Sequence, residues 1–107
     1  MIRPLLLAAA LLGAAPGAAA DEPLHLTIKD HRFTPDHLEA PAGVKFRLLV
    51  RNDDATAEEF ESTDLRRERI VAAGQEITVA LGPLEPGEYR FFGDFHKDTA
   101  QGVLVAK

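Results

Sequence analysis

Beyond residue 20, hydrophobic residues recur at every second position, in short stretches parted by turn-forming residues. Leu24, Leu26 and Ile28 fall on one side of an extended segment, with His25, Thr27 and Lys29 on the other. That alternation is the mark of a strand with one buried and one wet face. The same period turns Phe46, Leu48 and Val50 inward and Lys45, Arg47 and Arg51 outward, and it buries Ile77, Val79 and Leu81. His37 to Ala40, framed by Pro35 and by Pro41-Ala42-Gly43, reads as a short edge strand. Tyr89 and Phe91 share a face with Gly93; a polar loop holding His96 follows, and Gly102 to Val105 closes the sheet. Turn residues at regular intervals predict about seven to eight short strands and an all-β fold, a Greek-key β-sandwich. Helical character is confined to Thr63 to Glu68, a turn or two with Thr63 or Asp64 as cap.

The first twenty residues follow a different rule. Arg3 precedes the apolar run Leu5 to Leu12, and small residues follow up to Ala18-Ala19-Ala20. A short basic start, an apolar stretch too brief to span a bilayer and an Ala-x-Ala end form a secretory signal peptide over residues 1–20. Cleavage before Asp21 leaves one small domain, residues 21–107, with no membrane-inserted segment.

Charge and composition narrow the chemistry. The chain of 107 residues has a formal net charge of −5, and loss of Arg3 makes it one unit more negative. Such a surface disfavours nucleic acid and anionic lipid and attracts cations. There is no cysteine, so no disulfide staples the domain and no thiolate serves as nucleophile or soft metal ligand. Neither a nucleophile with a readable base nor a phosphate-binding loop is present. Metal chemistry in this chain must use imidazole, carboxylate, backbone or water.

Candidate donors gather in two places. In Glu58-Glu59-Phe60-Glu61-Ser62, an inward Phe60 puts Glu58 on its own side of the sheet and Glu59 and Glu61 on the other. The loop after Gly93 carries Asp94, His96 and Asp98. The acids read equally as a charged edge that discourages strand pairing, and His96 as a solvent-facing loop residue. His31 and His37 flank an early turn without a recognised ligand spacing. Arg66, Arg67 and Arg69 read as solvated charges paired with nearby acids.

Ile28-Lys29-Asp30-His31-Arg32-Phe33-Thr34-Pro35, Pro41-Ala42-Gly43, Arg51-Asn52, Phe60, Pro86-Gly87-Glu88-Tyr89-Arg90-Phe91 and His96 ahead of Gly102-Val103-Leu104-Val105 together resemble a cupredoxin-like domain. The likeness spans the mature chain and is greatest to the EfeO-type proteins of bacterial periplasmic iron uptake. In blue-copper members of that family the ligands are an early His, a Cys, a second His and usually a Met. By the phase of the core aromatics, those positions fall on Glu58, on Gly93 (or Asp94 if the strand slips), on His96, and near Thr99 or Ala100. Only the second His survives, which argues against ordinary electron transfer.

The resemblance implies a periplasmic protein that binds a copper or iron ion through His96, Glu58, Glu59, Glu61 and Asp94. It would assist iron uptake beside an inner-membrane iron permease or another periplasmic partner. Any enzymatic activity would be copper-dependent oxidation of ferrous iron. Two alternatives stand beside it: a metal-free interaction module of a periplasmic complex, and an electron-transfer domain with an atypical copper centre.

Overall fold

A computed structural model describes residues 20–107; residues 1–19, which carry nearly all of the expected signal peptide, lie outside the described part. Nine strands run in order: β1 (Leu24–Lys29), β2 (Arg32–Thr34), β3 (His37–Ala40), β4 (Phe46–Asn52), β5 (Glu58–Ser62), β6 (Arg67–Val71), β7 (Glu76–Leu81), β8 (Gly87–Gly93) and β9 (Gln101–Ala106). One sheet has the order β2-β1-β4-β7 and the other β3-β9-β8-β5-β6. The pairings β1 with β4 and β3 with β9 are parallel, and the rest are antiparallel. Among the described residues no helix is long and apolar enough to cross a membrane.

The alternation sorts the side chains as the sequence predicts. Leu26, Ile28, Leu48, Val50 and Val79 from one sheet meet Leu38, Phe60, Phe91 and Leu104 from the other in a single core. Phe33, Phe60 and Phe91 form its aromatic centre, with ring centroids 5.0 to 6.2 Å apart and mostly edge to face. Such contacts add to simple burial of area. In β9 the inward residues are Leu104 and Ala106, while Val103 and Val105 face outward.

Two strands go beyond the sequence reading. β2 pairs with β1 as a two-residue hairpin, Lys29 opposite Arg32. The helical turn expected over Thr63 to Glu68 is only a turn up to Arg66, and the chain then enters β6. Ser62 sets that corner: its hydroxyl accepts from Leu65 N at 3.0 Å and donates to Arg90 O at 2.6 Å. Among the described residues Arg66, Arg67 and Arg69 enter no ion pair with the acids nearby. Arg67 donates to Ala80 O at 2.9 Å and Arg69 to Thr78 O at 3.2 Å, so β6 of one sheet satisfies carbonyls on the open edge of β7 in the other. Guanidinium groups here cover an edge that would otherwise invite pairing.

Candidate functional site

The site begins with a buried asparagine. Asn52, fully buried at the end of β4, donates through Nδ2 to Thr56 O and Val71 O and accepts from Asp54 N at 2.9 Å. Two of these bonds hold the loop from Asp53 to Ala57 and the third ties it to the end of β6, so the buried amide is satisfied. The loop then delivers two things: Asp54 toward the β1–β2 turn, and Glu58 into the interior at the start of β5.

Asp30 and His31 form that turn with φ of 53° and 58°. Two consecutive positive values describe a type I′ hairpin, which glycine or asparagine would occupy most easily. A non-glycine residue in the left-handed region costs about 1–2 kcal/mol. Asp54 offsets that cost by accepting from Asp30 N at 2.7 Å and His31 N at 2.9 Å. Desolvation pushes the Asp54 carboxyl upward, but the His31 and Asp30 N–H bonds and the nearby His31 and Lys29 side chains outweigh it and hold the group below its ordinary 3.8. Thr99 Oγ1 fastens the same turn from the far side by donating to His31 O at 2.6 Å.

The clamped turn lays the His31 ring flat on His96, with centroids 3.5 Å apart and planes 10° from parallel. His96 ends a single 3-10 turn, Asp94–His96, directly after β8. Its Nδ1 lies 2.6 Å from Glu58 Oε2. Glu58 is 1% exposed, and its other oxygen accepts from Glu59 N and Phe95 N, both at 2.9 Å. The carboxylate is thus fixed in orientation by two backbone donors before any partner arrives. A charge-assisted bond of this length is among the stronger hydrogen bonds in proteins.

Gly93 explains how a carboxylate fits there. A Cβ added to Gly93 would come within 2.7 Å of both Glu58 Cδ and Ala100 Cβ, and 2.8 Å from Glu58 Oε2. Gly93 faces inward, while Asp94 is directed outward. At the position the resemblance assigns to cysteine, the Glu58 carboxylate therefore fills the space a cysteine side chain would need. A blue-copper centre does not fit this chain.

An oxygen and nitrogen pair fits better. Metal bonds of about 2.0–2.1 Å at a right angle would set the two donors about 2.9 Å apart, slightly wider than the 2.6 Å between Glu58 and His96. His31 cannot share that ion in its present pose, because nearly parallel stacked rings aim their in-plane lone pairs along separate planes. The five residues named from the sequence accordingly divide. Glu58 and His96 meet inside, whereas Glu59, Glu61 and Asp94 bring one carboxylate oxygen each to within 4.8 Å of one another on the outer face. Desolvation, then the charges of Glu68 and Glu61 and the hydrogen bond the protonated Glu59 carboxyl donates to Asp94, raise the Glu59 carboxyl above its usual range. Lys97 partly balances that group, 3.3 Å from Asp94. His31, Asp54 and Thr99 complete the arrangement; no spacing in the sequence links them, since each is brought in by a different loop.

The cupredoxin-like domain family model matches residues 3–106. The chain belongs to the cupredoxin-like family. A relative, uncharacterized protein RP394 of Rickettsia prowazekii (strain Madrid E), is 54% identical over 80 residues, 75% of this chain; the match spans 64% of that protein's length. Among solved structures, the Cu(I) form of a point mutant of amicyanin is 17% identical and superposes with a TM-score of 0.68 over 87% of this chain and 92% of its own. The metal-binding domain of the Cu(I)-exporting ATPase CopA of Streptococcus pneumoniae D39 is 12% identical with a TM-score of 0.72, covering 84% of this chain and 94% of that domain. A purple cupredoxin from Nitrosopumilus maritimus is 16% identical with a TM-score of 0.62, over 78% and 99%. At such identities the likeness to these cupredoxins is one of fold.

Proposed function

We propose that this cupredoxin-like protein is exported to the periplasm, binds a transition-metal ion between Glu58 and His96, and serves iron uptake beside a membrane permease. The observation that supports metal binding most is the buried Glu58 carboxylate turned toward His96 Nδ1, where the family's thiolate would otherwise stand. Imidazole with carboxylate suits copper(II) and iron far better than copper(I). Glu58 supplies negative charge that is oriented in advance by Glu59 N and Phe95 N. His96 supplies nitrogen, and the stacked His31 limits rotation of its ring. The outer acids Glu59, Glu61 and Asp94 raise the local concentration of cations and form a second place where one could rest. Copper held at Glu58 and His96 would be a one-electron acceptor for ferrous iron; iron held there would be cargo. The role in iron uptake rests on the resemblance to EfeO-type proteins.

Calorimetric titration of residues 21–107 with copper(II), and anaerobically with ferrous iron, tests the site. Binding at micromolar strength, about −8 kcal/mol, that disappears in His96→Ala and falls at least tenfold in Glu58→Gln is the expected result. A second reading, a metal-free docking module, is favoured by one feature: both Glu58 oxygens are already satisfied by protein donors. Titrations indistinguishable from buffer for both metals would select it.

A further inference from the structure

The outer face of the five-stranded sheet is divided by charge. On its β5–β6 half, Glu59 stands opposite Ile70 and Glu61 opposite Glu68. Like charges placed directly across a strand pair are unfavourable, so this half carries repulsion that cations from outside would relieve. Ile70, 53% exposed, stands among these acids as an apolar knob.

On the β8–β9 half of the same face lies the reverse arrangement. An open groove of about 580 Å³ has Phe92 and Val103 in its lining, together with the basic residues Arg90, Lys97 and His37 and one acid, Asp36. Lys97 reaches over the Phe92 ring, 5.6 Å from its centroid. Among the described residues the Arg90 side chain enters no ion pair. An apolar knob ringed by acids and an apolar groove whose charged border is mainly basic therefore occupy one surface of one chain.

We propose that this face is the interface of a two-fold dimer, in which Ile70 and Glu68 of each copy seat against Phe92 and Arg90 of the other. The strand order β9-β8-β5-β6 places the knob on β6 and Phe92 and Arg90 on β8, on either side of β5 and about 10 Å apart at ~4.8 Å per strand. A two-fold axis lying in the contact plane along β5 lays β6 of each copy over β8 of the other. This is the self-complementary pattern of an isologous contact. Another partner would have to carry both halves of the same pattern; a second copy does so by construction. The face is small, roughly 20 by 20 Å by strand spacing and length, so the dimer belongs at the weak end of specific association. The proposal is independent of metal binding at Glu58 and His96.

Sedimentation equilibrium of residues 21–107, the span that holds all nine strands and the core, tests it. The weight-average mass should rise from monomer toward dimer as concentration increases into the hundreds of micromolar, and less so in high salt. Glu68→Arg and Arg90→Glu, both at exposed positions, should each remain monomeric. An equimolar mixture of the two should dimerise again, because each contact then joins opposite charges. A monomer at every concentration overturns the proposal. So does a dimer indifferent to both substitutions, or a mixture that fails to regain mass.

Discussion

Gly93 and Glu58 claim the same space, and that exclusion shapes the site more than any other pair of residues. Gly93→Ala should destabilise the fold by about 1–3 kcal/mol, the usual range for overpacking a filled interior. Its cost should shrink in a Glu58→Ala background to the part due to Ala100 Cβ, a coupling that a double-mutant cycle from urea unfolding would measure. Asp54 is the second decisive residue. Its carboxyl is held below 3.8 by the Asp30 and His31 N–H groups and the neighbouring side chains, against the opposing push of desolvation. A carboxyl with a lowered folded value contributes stability above its unfolded value and loses it as pH falls through the folded one. Stability should therefore drop below about pH 4 in the parent protein, and Asp54→Asn should lack that part of the drop. Denaturant titrations at neutral and acid pH would show the difference. Legibility was uneven at this scale. Period two gave the inward turn of Glu58 correctly because Phe60 fixes the phase of the strand. It gave no sign that His31 would lie on His96, since that contact depends on a hairpin turn held by residues from two other loops.

At the scale of elements, β5 and β6 explain most of what the sequence reading reached and missed. The alternation Glu58, Phe60, Ser62 against Glu59 and Glu61 is visible in the order of residues, and it separates the acids into an inner and an outer set. β6 escaped notice because Arg67, Glu68, Arg69 and Ile70 have no clean alternation; only Val71 is buried. Its charges serve the neighbouring sheet instead, with Arg67 and Arg69 donating to the carbonyls of Ala80 and Thr78. Replacing both arginines by alanine should cost about 1–3 kcal/mol for the two bonds that reach β7, at about 0.5–1.5 kcal/mol per hydrogen bond. It should also increase aggregation on heating by opening the β7 edge. Thermal unfolding followed together with light scattering would separate the two effects.

At the scale of the whole molecule, one core joins both sheets, and residues 21–107 should unfold in a single cooperative transition with coincident near- and far-ultraviolet signals. A transition resolved into two steps would contradict a shared core of Phe33, Phe60 and Phe91. The sequence by itself determined the all-β architecture, the phase of the main core strands, the absence of a thiolate and the placing of Glu58 and His96 among the candidate donors. These follow from local chemistry: side-chain alternation, turn residues and the inventory of functional groups. Only the tertiary structure decided that Glu58 pairs with His96 apart from Glu59, Glu61 and Asp94, that His31 covers His96, and that arginines close a sheet edge. Those outcomes depend on which strands become neighbours and on how loops far apart in the chain meet, and the packing of two sheets on one core sets both.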